Sequence, residues 1–308
     1  MSAADGSPVT GAGTVTVATA EEAAGGRGEP QPVLGWLRFF RSELHIVFRR
    51  RRNLALLAVA VAFPLLMGIV LKIAAPSGGG AGDTTTQAFF SQLAGNGIFL
   101  SFIALSTMLT LVLPLMVGMV AGDSVAGEAG HGTLRYLLAV PAGRTRLLAV
   151  KYAAIVAFGL CVSFLVAAVA LAVGAMLFPI GPVTLLSGNT VSLMSGMLRL
   201  LLCTLYVAAA MAQLGAIGLA ISTLTEHAIG AIAAVLVTVV ASEVAVSVPQ
   251  LAVAAPFLPT YWWVGFDGLL RTPIDTSGVA RGLLSFAVYA VLAVLCAWAR
   301  FTSMDVTS

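Results

Sequence analysis

Six stretches of apolar residues recur along this chain, and each is long enough to cross a lipid bilayer. A helix needs about 20 consecutive, mostly apolar residues to span the hydrocarbon core. Here 59% of the residues are hydrophobic and 9% are charged, whereas soluble domains average roughly 45–50% and about 25%. The sequence therefore predicts an all-α, polytopic integral membrane protein with six transmembrane helices. The predicted spans are 54–75, 98–121, 147–177, 198–221, 228–247 and 280–300.

The residues before the first span form two segments of different character. Residues 1–31 are rich in Gly, Ala, Ser, Thr and Glu, which predicts a disordered cytoplasmic tail rather than a signal peptide. Residues 32–52 place apolar side chains at helical spacing and end on four arginines, Arg49 to Arg52. This pattern predicts an amphipathic helix on the membrane surface, with the arginines facing anionic headgroups. Nucleic-acid binding is the less favoured interpretation of the arginines.

The placement of Lys and Arg predicts the orientation of the spans. Basic residues precede the first span, lie between the second and third spans, and end the sixth, whereas residues 76–97 and 178–197 contain none. Because cytoplasmic loops carry an excess of Lys and Arg, we expect both termini on the cytoplasmic side. The six-span domain is then expected over 53–301, followed by a short cytoplasmic tail over 302–308.

The outer segment over 248–278 combines prolines with aromatic residues. Pro249, Pro256 and Pro259 interrupt any long helix. The Tyr and Trp residues that follow are of the types that settle at membrane interfaces. We expect short helices that dip into the outer leaflet rather than a seventh span.

Motifs for catalysis are almost absent from the sequence. It contains no phosphate-binding loop of the form G-x-x-x-x-G-K-[ST] and no H-E-x-x-H motif, so we expect no enzymatic activity and no cofactor bound by this chain. Cys161, Cys203 and Cys296 lie inside apolar runs without C-x-x-C spacing. This favours apolar packing over disulfides or a zinc site, and we expect no metal.

Glu243 is the exception to the apolar character of the predicted spans. Charge inside a membrane is costly, so such a residue is a candidate functional group. Two interpretations stay open. Glu243 is either an acid near the outer end, wetted or paired with Arg199, Arg271 or Arg281, or a contact that lines a substrate path. Carriers coupled to protons or sodium usually need several buried charges near the midplane, and their scarcity favours an energy source outside this chain.

The loop between the second and third predicted spans, residues 122–146, is the most informative part of the sequence. It combines charge and glycine with a short apolar run, and Pro141 ends the helical pattern. The pattern predicts a compact helix on the cytoplasmic face. The full motif is Glu128-x-x-x-Gly132-Thr133-Leu134-x-x-Leu137-Leu138-x-x-Pro141-x-x-Arg144, followed by Leu147-Leu148 and Lys151.

This motif resembles the corresponding loop of ATP-binding-cassette type-2 permeases, and the resemblance extends from about residue 32 to about residue 300. It implies that the loop is a coupling helix that docks on a separate cytoplasmic ATPase subunit. The glycine-rich start, Gly127 with Gly130 and Gly132, departs from the family's pattern. Because glycine disfavours helices, we expect this turn to become ordered on docking. The resemblance assigns ATPase coupling to Glu128, Gly132, Thr133, Leu134, Arg135, Pro141 and Arg144, with Glu226 between the fourth and fifth spans as a smaller second contact.

The resemblance also implies the assembly. The permease would act as a pair, with a second copy or a paralogue, and with two ATPase subunits that hold ATP and Mg. Membrane lipids are expected as partners, and nucleic acid is not. The apolar spans suggest export of a hydrophobic or amphiphilic cargo (a drug, an antibiotic or a lipid) across a bacterial plasma membrane. An ATP-independent carrier or channel, and a membrane scaffold or sensor without transport, are the alternatives.

Overall fold

The computed structural model describes residues 32–74, 96–130, 143–184 and 188–303. Two compact units divide the chain, Met1–Arg38 and Phe39–Ser308, and the described part of the first unit is the start of one helix. The elements, in chain order, are α1 (Pro32–Arg49), α2 (Arg51–Ala74), α3 (Ile98–Thr110), α4 (Val112–Gly130), α5 (Arg144–Leu177), β1 (Val183–Thr184), β2 (Thr190–Val191), α6 (Leu193–Leu224), α7 (Ala228–Ser247), three 3-10 helices (Pro249–Leu251, Ala255–Phe257 and Trp263–Leu270) and α8 (Thr276–Ser303).

Six helices in the described ranges are long and apolar enough to cross a bilayer, namely α2, α4, α5, α6, α7 and α8. This confirms the predicted all-α, polytopic membrane class. With 34 and 32 residues, α5 and α6 exceed the others. At 1.5 Å per residue each is about 50 Å long, against a hydrocarbon core of about 30 Å. These two helices must therefore tilt or project beyond the bilayer.

The second predicted span is divided in the structure. α3 ends at Thr110, Leu111 has φ −143° and ψ −45°, and α4 then continues to Gly130. Pro114 explains the division, because proline has no N–H for the Thr110 carbonyl and its ring clashes with that carbonyl. The structure also corrects the predicted start of the loop, since residues 122–130 form the last turns of α4.

The helix ends meet in two groups. The starts of α2 and α5 meet the ends of α4, α6 and α8 in one group, which we call the charged end. The start of α3, the end of α5, the antiparallel β1–β2 hairpin, the start of α6 and the last 3-10 helix form the other group, which we call the hairpin end. The spans therefore cross the bundle in alternating directions.

The core lies between α3, α4, α5 and α6, and small residues bring these helices together. A Cβ atom on Gly215 would lie 2.6 Å from Ile155 Cγ2, and one on Gly218 would lie 2.6 Å from Ala121 Cβ. Close van der Waals packing of this kind drives helix association in a membrane. Of the three cysteines, Cys203 is buried, whereas Cys161 and Cys296 lie on outward helix faces.

Polar side chains of α6 hold the last 3-10 helix and the residues just before it. Gln213 donates from Nε2 to the Pro259 carbonyl and accepts at Oε1 from Trp263 Nε1, both at 3.1 Å. The Tyr206 hydroxyl donates to the Trp262 carbonyl at 2.7 Å. In a membrane protein, irregular backbone needs such internal partners because lipid offers none. These bonds let the segment between α7 and α8 pack deep against α6.

The last span starts earlier than predicted because Asp275 caps it. Asp275 Oδ1 accepts hydrogen bonds from the Gly278 N–H at 3.0 Å and from the Ser277 hydroxyl at 2.8 Å. These bonds, that from Gly278 first, lower the pKa of Asp275. α8 therefore begins at Thr276 rather than at residue 280.

At the hairpin end, α3 packs against α5 through two glycines. A Cβ atom on Gly97 would lie 2.3 Å from the carbonyl oxygen of Gly174. This separation is shorter than van der Waals contact, so the backbones would have to move apart to accommodate any side chain at position 97.

We therefore expect Gly97→Ala to lower the free energy of unfolding by about 1–3 kcal/mol, the usual cost of overpacking. Thermal unfolding of the purified protein in one detergent measures this. Gly181→Ala is the matched control, since its Cβ would meet nothing within 4 Å. If both variants unfolded at the same temperature as the parent, the close approach would be contradicted.

Candidate functional site at the charged end

A buried lysine lies at the centre of the charged end. Lys151, two turns into α5, has a side chain that is 3% exposed. Its Nζ lies 2.6 Å from Glu128 Oε1 in the last turns of α4 and 3.7 Å from Glu43 Oε1 in α1. Burying an ammonium group is very costly unless it is paired and hydrogen-bonded. The position of Lys151 therefore links α1, α4 and α5.

A second ion pair lies earlier on α4. Asp123 has a side chain that is 10% exposed, and its carboxylate accepts hydrogen bonds from Arg50 and from Arg52 Nη2, the latter at 3.0 Å. The sequence predicted that these arginines face lipid headgroups. In the structure their guanidinium groups bind a largely buried carboxylate and thereby join the start of α2 to α4. The two arginine side chains are 43% and 41% exposed, so their contact with headgroups stays a prediction.

The two ion pairs border one small polar cavity of about 30 Å³. Asn53, also on its wall, donates from Nδ2 to the Val47 carbonyl at 2.7 Å, while its buried Oδ1 has no hydrogen-bond partner among the described residues. A polar volume of this size admits a water molecule. We call the six charged residues around it the charged cluster; they are Glu43, Arg50, Arg52, Asp123, Glu128 and Lys151.

Ser222 joins α6 to α4 at the same end. Its hydroxyl donates to the Gly122 carbonyl at 2.7 Å and accepts from the N–H groups of Ala126 at 2.9 Å and Val125 at 3.1 Å. A side chain inserted against the hydrogen-bond ladder of a neighbouring helix couples the two backbones directly. The last turns of α4 are therefore held to the end of α6 as well as to α5.

The end of α4 lies beside the turn that joins α6 to α7. A Cβ atom on Gly130 would lie 3.2 Å from the Glu226 carbonyl oxygen. After residues 131–142, which the structure does not describe, Arg144 begins α5 and donates from Nη1 to the Thr302 carbonyl of α8 at 2.9 Å. Both flanks of 131–142 thus lie at the same end as Glu226.

The residues that the sequence assigned to coupling are distributed as follows. Glu128, Arg144 and Glu226 lie at the charged end. Glu128 was expected in an exposed loop, but it belongs to α4 and its carboxylate binds Lys151. The remaining assigned residues, Gly132, Thr133, Leu134, Arg135 and Pro141, lie outside the described residues.

Glu243 lies away from this site, in the last turns of α7. It is half-buried, and the described residues form no ion pair with it. Arg199, one of its expected partners, donates instead to the carbonyls of Leu269 and Arg271. A role for Glu243 in a substrate path remains a prediction.

Sequence reasoning assigned no pairing role to Glu43, Asp123 or Ser222. A signal existed for the two acids, because charges near the ends of apolar spans tend to pair with one another. The bases Arg50, Arg52 and Lys151 likewise lie near the ends of apolar spans. Ser222 gave no such signal, since a serine in an apolar run is compatible with many environments.

The fold and the charged cluster define a polytopic, all-helical membrane protein whose span ends are joined by buried ion pairs. The family model described as "ABC-2 family transporter protein" matches residues 47–265. This is well over half of the chain, and it includes the whole charged cluster except Glu43. The chain therefore belongs to the ABC-2 transporter family, as its loop motif indicated.

Two curated relatives are similar over a shorter stretch. A protein named "Probable ABC transporter permease protein NosY" from Stutzerimonas stutzeri is 31% identical over 124 residues, which are 39% of this chain and 41% of that protein. The protein of the same name from Pseudomonas aeruginosa is 32% identical over 101 residues, which are 33% of this chain and 32% of that protein. The chain thus matches less than half of the length of each relative.

We expect Lys151→Met to destabilise the protein strongly, because Glu128 and Glu43 would lose their buried ammonium partner. Removing one member of a buried ion pair typically costs about 3–5 kcal/mol. The Glu128 side chain is 19% exposed, so we expect the lower end of that range. Thermal unfolding in detergent measures the change.

The double variant Lys151→Met with Glu128→Gln is the control for this prediction. It removes charge from both members of the shorter pair and should recover part of the lost stability. A single Lys151→Met variant as stable as the parent would rule out the pair as a structural link.

Proposed function

We propose that this chain is the transmembrane permease subunit of an ATP-driven exporter in the bacterial plasma membrane, and that a separate ATPase docks at the charged end. Membership of the ABC-2 family supports the permease role, and so do the names of the two relatives. The placement of Lys and Arg supports the cytoplasmic side for the charged end, where the Arg49–Arg52 run, Arg144 and Lys151 lie.

The observation that carries this proposal is the close approach of Gly130 to the Glu226 carbonyl. It brings the end of α4, which residues 131–142 follow in the sequence, next to the turn between α6 and α7. These are the two segments to which the family resemblance assigns ATPase contacts. We therefore assign both segments to one docking surface at the charged end.

The charged cluster couples this docking surface mechanically to the spans. Glu128 lies two residues before the end of α4 and binds Lys151 in α5, and Glu43 extends the same pair to α1. A displacement of residues 131–142 would act on the ends of α4 and α5 together. Because an unpaired buried ammonium is costly, the paired helices would move as a unit. ATP binding by the partner would then bias a two-state equilibrium of the bundle.

The active form in this proposal is a pair of permease subunits, identical or paralogous, with two ATPase subunits that hold ATP and Mg. We assign the pairing surface and the adjoining cargo path to the outward face of α7. This face carries Val237, Val240 and Val244, which are 49–66% exposed, and Glu243 lies beside it. Its apolar character favours a hydrophobic or amphiphilic cargo, such as a drug, an antibiotic or a lipid.

Docking is tested by purifying the tagged chain from its native host in mild detergent and identifying the co-purified ATPase by mass spectrometry. We expect Arg135→Glu and Glu226→Lys each to reduce ATPase recovery about tenfold or more. A hydrogen bond to a charged group is worth about 1.5–3 kcal/mol, and about 1.4 kcal/mol is a factor of ten. These residues are chosen because reversing Glu128 would also disrupt its pair with Lys151.

Arg281→Glu, in the first turns of α8 at the opposite end, is the matched control and should leave ATPase recovery unchanged. Undiminished recovery and normal ATP-dependent export by both test variants, at matched membrane levels, would contradict docking at this surface. If the parent itself brought no ATPase from a host that expresses candidates, the carrier or channel alternative would be favoured and Glu243 would be its first target.

A further inference from the structure

An apolar groove that opens sideways from the bundle lies between α6 and α8, on the side of the hairpin end. Its volume is about 170 Å³. An apolar cavity of about 150 Å³ can hold benzene, so the groove has room for about six carbon atoms of a hydrocarbon chain. The lining residues are Leu202, Leu205, Tyr206, Leu269, Val279 and Leu283.

The groove faces the surroundings of the bundle rather than its core. Leu202, Leu205 and Leu283 are 37%, 43% and 44% exposed. The polar atom of the lining, the Tyr206 hydroxyl, is already hydrogen-bonded to the Trp262 carbonyl. In a bilayer the open side of this groove therefore meets the hydrocarbon of the lipid.

The depth of the groove corresponds to one leaflet. Leu202 and Leu205 lie about 14 and about 18 Å along α6 from its first residue, at 1.5 Å per residue. Leu283 lies about 10 Å from the start of α8. A hydrocarbon core of about 30 Å gives each leaflet about 15 Å, so an acyl chain descending from the headgroups at the hairpin end reaches Leu202 and Leu283, while Leu205 lies near the midplane.

Arg199 borders the groove on the headgroup side. It lies three residues before Leu202 and seven before Tyr206, so the three side chains share one face of α6. Its Nη1 donates to the carbonyls of Leu269 and Arg271, which fixes the guanidinium beside the groove wall. A guanidinium carries five N–H donors in a planar fork that matches phosphate oxygens, and Nε and Nη2 supply three of them.

The charges near this rim point to Arg199 as the anion-binding group. The neighbouring Arg271 acts on Asp267 without forming an ion pair with it: burial raises the pKa of Asp267, and the Arg271 guanidinium partly opposes that rise. No carboxylate of the described residues lies within ion-pair distance of either arginine. Arg199 binds the carbonyl of Leu269, a residue of the groove lining, which places its guanidinium next to the groove. A cation above an apolar groove matches a lipid that carries a negative headgroup above its acyl chains.

We propose that this groove binds an acyl chain of a membrane phospholipid with an anionic headgroup, and that Arg199 binds the phosphate. The lipid is a resident component of the permease rather than its cargo. The site lies on α6 and α8, away from the α7 face to which we assign pairing and transport. Its occupancy therefore does not depend on ATP or on the partner ATPase.

The test reconstitutes the full chain in lipid vesicles that contain a trace of phosphatidylglycerol with a photoactivatable diazirine on its acyl chain. Labelled peptides are mapped by mass spectrometry after illumination. We expect labels at Leu202, Leu205 and Leu283, and weaker labelling of these sites by the matching phosphatidylcholine probe. Equal labelling of groove and non-groove residues by both probes would overturn the proposal.

Two matched pairs of variants distinguish the site that binds the acyl chain from the site that binds the headgroup. Leu283→Trp fills the groove and should abolish labelling there, whereas Leu284→Trp changes an adjacent residue that is 66% exposed and outside the lining, and should not. Arg199→Gln should reduce labelling by phosphatidylglycerol about tenfold, the value of one charged hydrogen bond. Arg281→Gln, an exposed arginine of α8, is its control.

Further outcomes would decide against the proposal. Equal losses in the two tryptophan variants would show that the groove is not the site. Since Arg199→Gln also removes two bonds to backbone carbonyls, thermal unfolding is measured alongside, and Leu283→Trp stands as the independent variant. Loss of labelling on addition of ATP and the partner ATPase would identify the occupant as cargo and overturn its assignment as resident lipid.

Discussion

A lysine side chain that is 3% exposed needs compensating charge close to its ammonium group, and Lys151 obtains it from two other helices. This requirement fixes several features of the charged end at once. α4 must continue far enough to present Glu128, although glycines at positions 127 and 130 disfavour a helix there. α1 must approach α5 closely enough to bring Glu43 within 3.7 Å of the ammonium. The ion pairs of Lys151 therefore determine both how far α4 extends and how closely α1 approaches α5.

Asp123 extends this constraint to α2. Its carboxylate is largely buried, so the two arginines at the start of α2 compensate its charge as the two acids compensate Lys151. α4 thus carries an acid that binds α2 and an acid that binds α5, one turn and a half apart. Ser222 adds a third link, to α6, between them. The last turns of α4 are consequently held on three sides. Any force on the residues that follow α4 is therefore transmitted to α2, α5 and α6.

The spans could be predicted from the sequence because lipid requires long apolar runs, and an apolar run can be located without knowing what it packs against. The predicted span at 228–247 matches α7 at both ends, because a charged residue lies just before it and a proline lies just after it. The break at Leu111 could not be located in the same way. Pro64 lies inside the continuous helix α2, whereas Pro114 follows a division. What a proline does in a membrane depends on the neighbours that satisfy the freed carbonyl.

The candidate site was predictable in composition but not in pairing. The loop motif identified Glu128 and Arg144, and both lie at the charged end. That Glu128 binds Lys151, and that Arg50 and Arg52 bind Asp123, depends on the packing of four helices. Opposite charges at the ends of spans indicate that pairs form, whereas the choice among several bases for each acid is a tertiary property.

α6 supplies a physical reason why an event at the charged end can reach the hairpin end. Ser222 binds the backbone of α4, while Gln213, Tyr206 and Arg199 bind carbonyls in or next to the 3-10 helices. Ser222 and Arg199 are separated by about 35 Å of continuous helix. Hydrogen bonds near 3 Å are lost when their atoms separate by little more than half an ångström. A tilt of α6 about its middle must therefore carry the last 3-10 helix and its flanking residues with it or break bonds for which lipid offers no substitute.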